Sequence, residues 1–323
     1  YPHGAAARRP GTQYVAEVKT SANSTRIIPF EFNTEQTYIL ELGNLYMRFY
    51  RDNGQILEGN KTITAITKAN PGVITCSSHG YLTGDEINIS SIVGMTELNN
   101  KRFLVVKIDA NTFSLTDVDG VAINTTNFTT YGSAGTMNRV FQITTTYTTA
   151  EIFDLKFAQS ADVMYITHPN HQTRKLSRTG HTTWTLAAVE FTNGPFLDTN
   201  VSTTTLTPAS AGVGTGVNVT ASAVTGINSG SGFLTTDVGR QIRIGDGYGI
   251  ITARTNTTVV VVTVTTAFAN ANANTDWSLG AFSTTTGFPS CVSFFEQRLV
   301  FAASINNPQT VYFSKSGDYE NMD

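Results

Sequence analysis

Short runs of β-forming residues, each closed by a turn signal, fill almost the whole sequence. Thr, Val, Ile, Tyr and Phe dominate these runs, and such side chains pack well on a pleated surface. The clearest runs are Thr37–Leu42, Leu45–Tyr50, Arg102–Ile108, Val163–Thr167, Gln241–Ile244, Val259–Thr265 and Leu299–Ala303. The turn signals include Gly43-Asn44, Asp52-Asn53-Gly54, Asp119-Gly120 and Asp246-Gly247. No segment holds a 3.6-residue apolar period, and the best helical candidates are short, Thr96–Asn99 and Thr149–Phe153. The pattern predicts an all-β chain.

Charge and composition exclude several classes of protein. Charged residues make up 14% of the chain and the net charge is −3, so a general nucleic-acid binder with a surplus of Lys and Arg is excluded. Aromatic residues at 10% argue against a disordered chain. The two cysteines, Cys76 and Cys291, allow one disulfide at most, but both lie in apolar β-like runs, which favours two buried thiols.

Two pairs of similar hairpins indicate an interrupted repeat. The segment Ser177-Arg178-Thr179-Gly180 returns as Ser314-Lys315-Ser316-Gly317, 137 positions later, and Leu40 matches Leu155, 115 positions later. Each interval contains a stretch unlike either hairpin. Without these stretches, the spacings bracket the roughly 40–50 residues of a four-stranded propeller blade. A string of unrelated β-domains with similar hairpins is the alternative.

The predicted fold class is therefore all-β, with β-propeller-like blades interrupted by two inserted small β-barrel/sandwich modules. Residues 1–60 form a first blade, 61–138 an inserted small β-barrel, 139–199 a further propeller-like part, 200–285 a second inserted β module, and 286–323 a propeller-like part that continues beyond this sequence. We expect the flanking hairpins, Thr37–Tyr50 and Phe153–Thr167, to share a sheet.

No segment carries a complete metal or phosphate motif. His168 and His171 lie in H-P-N-H with His181 nearby, but the Pro169-Asn170 turn removes the helical alignment that i, i+3 ligands use. Asp117-Val118-Asp119-Gly120 lacks the later ligands of a calcium loop and predicts a hairpin turn. The Gly-rich segment at 245–249 lacks the Lys-Ser/Thr of a phosphate loop.

Catalytic and anion-binding signals are equally weak. Asp85-Glu86 is a carboxylate pair of the kind that glycosidases use, but sequence alone does not place two carboxylates across a sugar. Basic residues cluster at Arg8-Arg9-Pro10 with Lys19 and Arg26, and again at Arg174, Lys175 and Arg178. For both clusters, salt bridges to a neighbouring subunit or plain solvation are favoured over phosphate binding. We predict no catalytic, cofactor-binding or metal-binding residues, no cofactor and no enzymatic activity.

The segments outside the two inserts resemble the tail nozzle (tail tubular) proteins of short-tailed bacteriophages. The resemblance rests on A-R-R-P-G-T-Q-Y-V-A-E-V-K, T-R-I-I-P-F-E-F, T-Y-I-L-E-L-G-N-L-Y-M-R-F-Y, F-D-L-K-F-A-Q-S-A-D-V-M-Y-I-T-H-P, R-K-L-S-R-T-G-H-T-T-W-T-L, F-E-Q-R-L-V-F-A and S-K-S-G-D-Y-E-N, in this order. The first insert, with H-G-Y-L-T-G-D-E-I and G-M-T-E-L-N-N-K-R-F, is similar to the first catalytic-cysteine half-domain of ubiquitin-activating enzymes. That second likeness concerns the fold, and it implies no thioester chemistry at Cys76.

The nozzle resemblance implies a virion structural protein in the phage tail. Such a subunit forms a homo-oligomer, typically a hexamer, around the channel through which DNA is ejected. Its implied partners are copies of itself, a tail adaptor ring, tail fibres or spikes, the host cell surface, and double-stranded DNA in transient, non-specific contact. A weakly acidic surface rich in Thr and Asn agrees with this role, because it does not hold DNA tightly.

Two other functions remain open at this point. An extracellular adhesin or carbohydrate-binding β protein predicts an exposed aromatic platform, and the candidates are Trp184 and Trp277. A polysaccharide-degrading tail enzyme predicts two carboxylates that face each other in a groove.

Overall fold

The computed structural model describes residues 11–32 and 36–322, and these residues form an all-β protein of blade-like sheets, as predicted. The chain divides into two compact units, residues 1–149 with 180–183, and residues 150–179 with 184–323. In the described part of the chain, no helix has the length and apolar character that crossing a membrane requires.

Among the described residues, twelve strands precede residue 150. They are β1 (Arg26–Glu31), β2 (Thr37–Gly43), β3 (Tyr46–Arg51), β4 (Gly54–Gln55), β5 (Lys61–Thr62), β6 (Ala65–Ile66), β7 (Val73–Thr75), β8 (Glu86–Val93), β9 (Lys101–Lys107), β10 (Thr112–Thr116), β11 (Ser133–Arg139) and β12 (Gln142–Thr144).

Thirteen strands follow between residues 150 and 322. They are β13 (Lys156–Ser160), β14 (Val163–His168), β15 (His171–Gly180), β16 (Thr183–Ala188), β17 (Leu206–Pro208), β18 (Gly214–Ala221), β19 (Gln241–Ile244), β20 (Gly247–Arg254), β21 (Val259–Thr266), β22 (Trp277–Leu279), β23 (Cys291–Phe295), β24 (Arg298–Ala302) and β25 (Val311–Phe313). The part of the chain that the structure describes also contains three 3-10 turns, at Thr96–Leu98, Asn228–Gly230 and Thr235–Asp237.

The first unit contains a blade-like sheet in the order β1-β2-β3-β12, with β4 paired to β3. One face of this sheet is apolar and buried, because alternate residues of each strand point to it. Those residues are Ile28, Phe30, Tyr38, Leu40, Leu42, Met47 and Phe49. The strand β12 lies after the first insert in sequence, so the sheet is completed only when the chain returns from that insert.

The first insert forms a seven-stranded, curled sheet in the order β5-β11-β8-β9-β10-β7-β6. Its interior is a continuous apolar core of aliphatic, aromatic and sulfur-containing residues, among them Ile87, Ile89, Phe103, Phe113 and Met137. A sheet of this size can bury such a core only by curling around it.

The second unit contains two further blade-like sheets, the four-stranded meander β13-β14-β15-β16 and the three-stranded sheet β23-β24-β25. They share one apolar core, in which Tyr165 lies with Leu299 and Phe301. The chain segments that follow the two sheets also meet, because Thr192 and Asn321 form a parallel bridge. These two sheets therefore stack as neighbouring blades do.

The second insert forms a six-stranded sheet in the order β17-β18-β21-β20-β19-β22. Its core is built mainly from the valines of β18 and β21, together with Phe233 and Trp277. Alternate residues of β21 are buried, so Val260, Val262 and Val264 point into the core while their neighbours are partly exposed.

Each insert begins and ends on a pair of hydrogen-bonded chain segments. At the first insert, the Glu58 amide donates to the Arg139 carbonyl at 2.8 Å. At the second, the Leu197 amide donates to the Leu279 carbonyl at 2.8 Å, beside a bridge between Phe196 and Gly280. The two ends of each insert are therefore neighbours, although about 80 residues separate them in sequence.

Three sequence-based expectations differ from the structure. The hairpins Thr37–Tyr50 and Phe153–Thr167 lie in separate sheets, because each finds its own partner strands, β12 for the first and β15 for the second. Thr149–Phe153 forms turns and no helix. Cys76 is buried, but Cys291 is exposed on the edge strand β23, and neither forms a disulfide.

Candidate functional site

Two histidines and a glutamate converge at one end of the β14–β15 hairpin. His168 ends β14 and His171 begins β15, and the two are paired directly across the Pro169-Asn170 turn. Their ring centroids lie 5.0 Å apart. The Glu151 carboxylate, from the turns that precede β13, lies 2.8 Å from His171 Nε2. One ligand atom from each of the three side chains lies within 4.8 Å of the others.

Burial and charge determine the protonation of this His168–His171–Glu151 cluster. His168 is 3% exposed, and burial, together with the neighbouring His171, lowers its pKa below the ordinary value for histidine. The carboxylates of Glu151 and Asp154 raise the pKa of His168, but by less than burial and His171 lower it. His168 is therefore a neutral imidazole at neutral pH, which is the form that binds metals. Its Nδ1 accepts a hydrogen bond from the Asn170 amide at 3.2 Å.

The geometry of the H-P-N-H segment differs from the sequence-based interpretation. The two-residue turn does not separate the rings, because residues that flank such a turn are cross-strand neighbours on one face of the hairpin. Glu151 was not a candidate in the sequence, since nothing in its local sequence relates it to residues 17 and 20 positions later. His181 belongs to the first unit, where it lies 2.7 Å from the Tyr38 hydroxyl and 2.8 Å from Arg51.

The carboxylate pair Asp85-Glu86 has a structural role. Glu86 is buried between Arg48, at 2.7 Å, and Arg102. The Asp85 carboxylate accepts hydrogen bonds from the Arg139 guanidinium at 2.8 Å and from the Leu82 amide at 2.9 Å. Both carboxylates are bound by guanidinium groups, so the pair does not offer the free acid and base that glycoside hydrolysis requires.

The two loop motifs are hairpin turns. Asp117 Oδ1 accepts from the amides of Asp119 and Val121, at 3.1 and 2.8 Å, as in an Asx turn. At the Gly-rich segment, Ile244 pairs with Gly247, so Gly245 and Asp246 form a two-residue hairpin turn.

Two residues of the second basic cluster form salt bridges within the chain. Lys175 pairs with Glu320 at 2.5 Å, and Arg178 with Asp162 at 3.0 Å. In the first basic cluster, Arg8, Arg9 and Pro10 lie outside the described residues. The Lys19 ammonium lies 5.2 Å from the centroid of the Tyr46 ring, and burial lowers the pKa of this lysine.

The two tryptophans belong to the interior. Trp184 is 7% exposed and Trp277 is 3% exposed. The Trp277 indole donates to the Thr204 carbonyl at 2.9 Å. Neither residue forms the exposed platform that the adhesin alternative predicts.

A polar cavity of about 530 Å³ lies in the second unit. Its wall includes the aromatic side chains of Trp277 and Tyr312 and the buried guanidinium of Arg240. Arg240 donates to Asp237 at 2.9 Å, to Asn228 at 2.8 Å and to the Gly280 carbonyl at 2.7 Å. These bonds engage Nε and Nη1 of the guanidinium and link three parts of the chain beside the cavity, so Arg240 has a structural role there.

The sheet β23-β24-β25 has one buried face and one exposed apolar face. Val292, Phe294, Leu299, Phe301 and Tyr312 point into the core shared with the four-stranded sheet. On the opposite face, Phe295 is 58% exposed, Val311 49% and Phe313 46%. An exposed group of large apolar side chains on one sheet face is typical of a surface that another apolar surface covers.

The first insert matches a known domain. The family model of the ubiquitin-activating enzyme E1 FCCH domain matches residues 69–140, which confirms the likeness expected for this module. Ubiquitin-like modifier-activating enzyme 1 from Oryctolagus cuniculus is 37% identical over 82 residues, and its Homo sapiens counterpart is 35% identical over 82 residues. These matches cover 24% of this chain and 7% of each enzyme, so they concern the module alone.

The module carries no reactive cysteine. Cys76 is 2% exposed, and burial raises the pKa of its thiol, which disfavours the thiolate that nucleophilic chemistry requires.

Among solved structures, phage phi92 endosialidase aligns over 87% of this chain and 53% of its own length, with 11% identity and a TM-score of 0.21.

Proposed function

We propose that this protein is a non-enzymatic structural subunit of a short-tailed phage tail and forms the distal nozzle ring through which DNA is ejected. One observation carries the proposal. The segments that resemble tail nozzle proteins supply most strands of the three blade-like sheets, namely β1 to β3, β13 to β16 and β24, whereas the two inserts form the seven-stranded and six-stranded sheets.

The exposed apolar face of β23-β24-β25 supports assembly. Its side chains would be buried by a further sheet, in the way that the opposite face is buried by the four-stranded sheet. In a ring, a further sheet is available from a neighbouring copy, since cyclic assemblies repeat one heterologous contact around an axis.

The proposed partners are copies of this chain in a six-membered ring, a tail adaptor ring, and tail fibres or spikes. Contact with double-stranded DNA is transient and non-specific, in agreement with the net charge of −3. The proposed location is the virion, in the phage tail.

Particle mass and shape test this function. Light scattering and negative-stain electron microscopy of the purified chain should show a ring of several copies, with six expected, and a central hole. A stable monomer at micromolar concentrations would contradict the ring. A glycan array and a capsule depolymerisation assay test the two rival functions, and binding or cleavage of a polysaccharide would favour them.

A matched pair of variants tests the apolar face. Phe313→Asp places a charge on that face and should weaken self-association by about tenfold or more, because a buried interface does not tolerate an unpaired charge. Val201→Asp, at an isolated and fully exposed position, should leave the particle mass unchanged. Equal masses for the two variants would exclude this face from the assembly.

A further inference from the structure

We infer that the His168–His171–Glu151 cluster is a binding site for one divalent late transition metal, with Zn²⁺ as its representative. Two imidazoles and one carboxylate form the three-ligand set that zinc sites use, with water in a fourth position. The inference is independent of the proposed role in a phage tail.

The backbone brings the two imidazoles together. His168 and His171 flank a two-residue turn as a directly opposed pair, and such pairs place their Cβ atoms about 4.5–5.5 Å apart on one face. The pleat of the hairpin thus fixes the direction of both rings before any metal binds. This arrangement limits the entropic cost of binding.

The distances between the three ligand atoms suit a metal ion once the side chains rotate slightly. Bonds of about 2.0–2.2 Å to a tetrahedral ion place neighbouring ligand atoms roughly 3.5 Å apart. The ligand atoms of Glu151, His168 and His171 lie within 4.8 Å of one another, so side-chain rotations that shift them by about 1 Å close the site. Glu151 and His171 are only partly buried, 22% and 23% exposed at their side chains, so they have room to rotate.

A hydrogen bond between the cluster's side chains spans the position that a metal would take. His171 Nε2 and Glu151 Oε1 lie 2.8 Å apart. An incoming Zn²⁺ would replace this hydrogen bond with a bond to each atom, and the neutral His171 imidazole would then keep its one proton on Nδ1. The metal then accepts electron pairs from Nε2, from the carboxylate oxygen and from a His168 ring nitrogen, with no change of oxidation state.

The environment favours a cation at this point. The carboxylate of Asp154 interacts electrostatically with the His168 ring and adds negative charge beside the cluster. Asp154 and Glu151 belong to the same turn, in which the Asp154 amide donates to the Glu151 carbonyl at 3.0 Å. A bound metal would therefore tie this turn to the end of the β14–β15 hairpin.

Metal titration of the full chain tests the site. Zn²⁺, added against a chromophoric competitor, should bind one equivalent per chain with micromolar or tighter affinity. Co²⁺ in its place should give the visible absorption of a four-coordinate nitrogen and oxygen site. Binding should weaken as the pH falls from about 7.5 to 5.5, because protons compete for the imidazoles.

Variants at the two partly exposed ligands identify the residues. His171→Gln should weaken Zn²⁺ binding on the order of 100-fold and Glu151→Gln about tenfold or more, in line with the dependence of metal affinity on ligands and their supports. His181→Gln is the matched control, since that imidazole also lies at a hairpin turn but outside the cluster, and its binding should equal that of the unchanged protein.

Stability gives a second readout. Zn²⁺ should raise the melting temperature recorded by tryptophan emission by a few degrees, because Trp184 lies in the same sheet as the cluster and a bound metal stabilises the folded state. The increase should disappear in His171→Gln. The inference is wrong if about 100 µM Zn²⁺ produces no binding, or if His171→Gln and His181→Gln reduce it equally, which would indicate adventitious histidine binding.

Discussion

Glu86 is a carboxylate held between two guanidinium groups in the interior of the first unit. Its side chain is 3% exposed and that of Arg48 is 1% exposed, so both charges have lost their hydration. Such a pair adds little net stability over apolar side chains, but removal of one partner leaves a buried charge without compensation. Arg48 lies in the blade-like sheet and Glu86 in the first insert, so the pair joins the two.

Glu86→Gln should therefore lower the free energy of unfolding of the first unit by about 3 kcal/mol. Both tryptophans lie in the second unit, so hydrogen exchange of peptides from β8 is the appropriate measurement. Asp52→Asn is the control, because Asp52 is 78% exposed in its pair with Arg51 and should change stability by at most about 0.5 kcal/mol. Similar effects for the two variants would contradict the assignment.

His168 makes the stability of the second unit depend on pH. Its pKa is lowered in the folded state, so between that pKa and the ordinary value of about 6.5 the unfolded chain binds more protons. Stability is therefore complete above about pH 6.5 and falls as the pH decreases toward the folded pKa.

His168→Gln should flatten this dependence relative to the unchanged chain when urea unfolding is followed by tryptophan emission in a metal-free buffer between pH 7 and pH 5. His171, Glu151 and Asp154 interact electrostatically with the His168 ring, so the difference between the two chains is the informative quantity. Parallel curves for the two chains would show that His168 does not contribute.

The local sequence predicted those structural roles that depend on contacts between residues close in sequence. The turns at Asp117 and at Gly245 follow from side chains and φ preferences within four residues. The partnership of Glu86 with Arg48 and that of Glu151 with His171 depend on contacts across 38 and 20 positions. No periodic pattern encodes such contacts, so the sequence did not predict the candidate metal site.

At the scale of elements, two glycines allow the close approach of β20 and β21. A Cβ atom at Gly249 would lie 2.5 Å from the Thr263 carbonyl oxygen, and one at Gly247 would lie 2.5 Å from the Ala267 carbonyl oxygen. Backbone atoms cannot move aside as the end of a side chain can. The Gly-rich segment is thus a packing feature of the second insert.

Gly249→Ala should destabilise the second unit by about 1–3 kcal/mol, since the strands must separate to admit a methyl group. Gly214→Ala, in β18 with nothing within 4 Å of the added atom, should be neutral or stabilising by up to about 1 kcal/mol. Urea unfolding followed by tryptophan emission compares the two. Equal midpoints would show that the sheet absorbs the methyl group without cost.

Strand positions were largely predictable, and their exposure was not. The run Thr37–Leu42 became β2 and the run Val163–Thr167 became β14, because period-2 patterns indicate strands wherever they pack. The apolar run at Cys291–Phe295 indicated burial, yet β23 exposes alternate residues on the uncovered face of its sheet. Whether a face is covered depends on the neighbouring sheet and not on the strand itself.

At the scale of the whole molecule, the second insert should be removable. Its ends meet at the hydrogen bond between Leu197 and Leu279, so an Asn-Gly turn in place of residues 198–278 keeps their pairing. We expect the sheets β13-β14-β15-β16 and β23-β24-β25 to remain folded, because none of the deleted residues belongs to their shared core.

Emission from Trp184 reports the outcome, since this residue lies in β16 and remains after the deletion. The full chain with Trp277→Phe is the control and gives the spectrum of Trp184 alone. Coincident emission maxima support an autonomous insert, whereas a shift to the wavelength of a solvent-exposed indole would show that the blade-like sheets depend on it.

Spacing arithmetic predicted blade-like sheets and two foreign modules, and it erred on how the hairpins combine. Repeats separated by about one blade length reveal the unit, but they do not show whether two units share hydrogen bonds. Here β12, which follows the first insert in sequence, pairs with β3 and completes the first sheet. This sheet therefore contains strands from both sides of the insert.

The paired ends of the two inserts have an evolutionary consequence. A module whose first and last residues are neighbours in space can be gained or lost through two breaks in a gene. The strands of the surrounding sheets then keep their positions. Substitutions in the inserted module can then be selected without any effect on the folding of the surrounding sheets. Such portability agrees with the match between this module and a segment of ubiquitin-like modifier-activating enzyme 1.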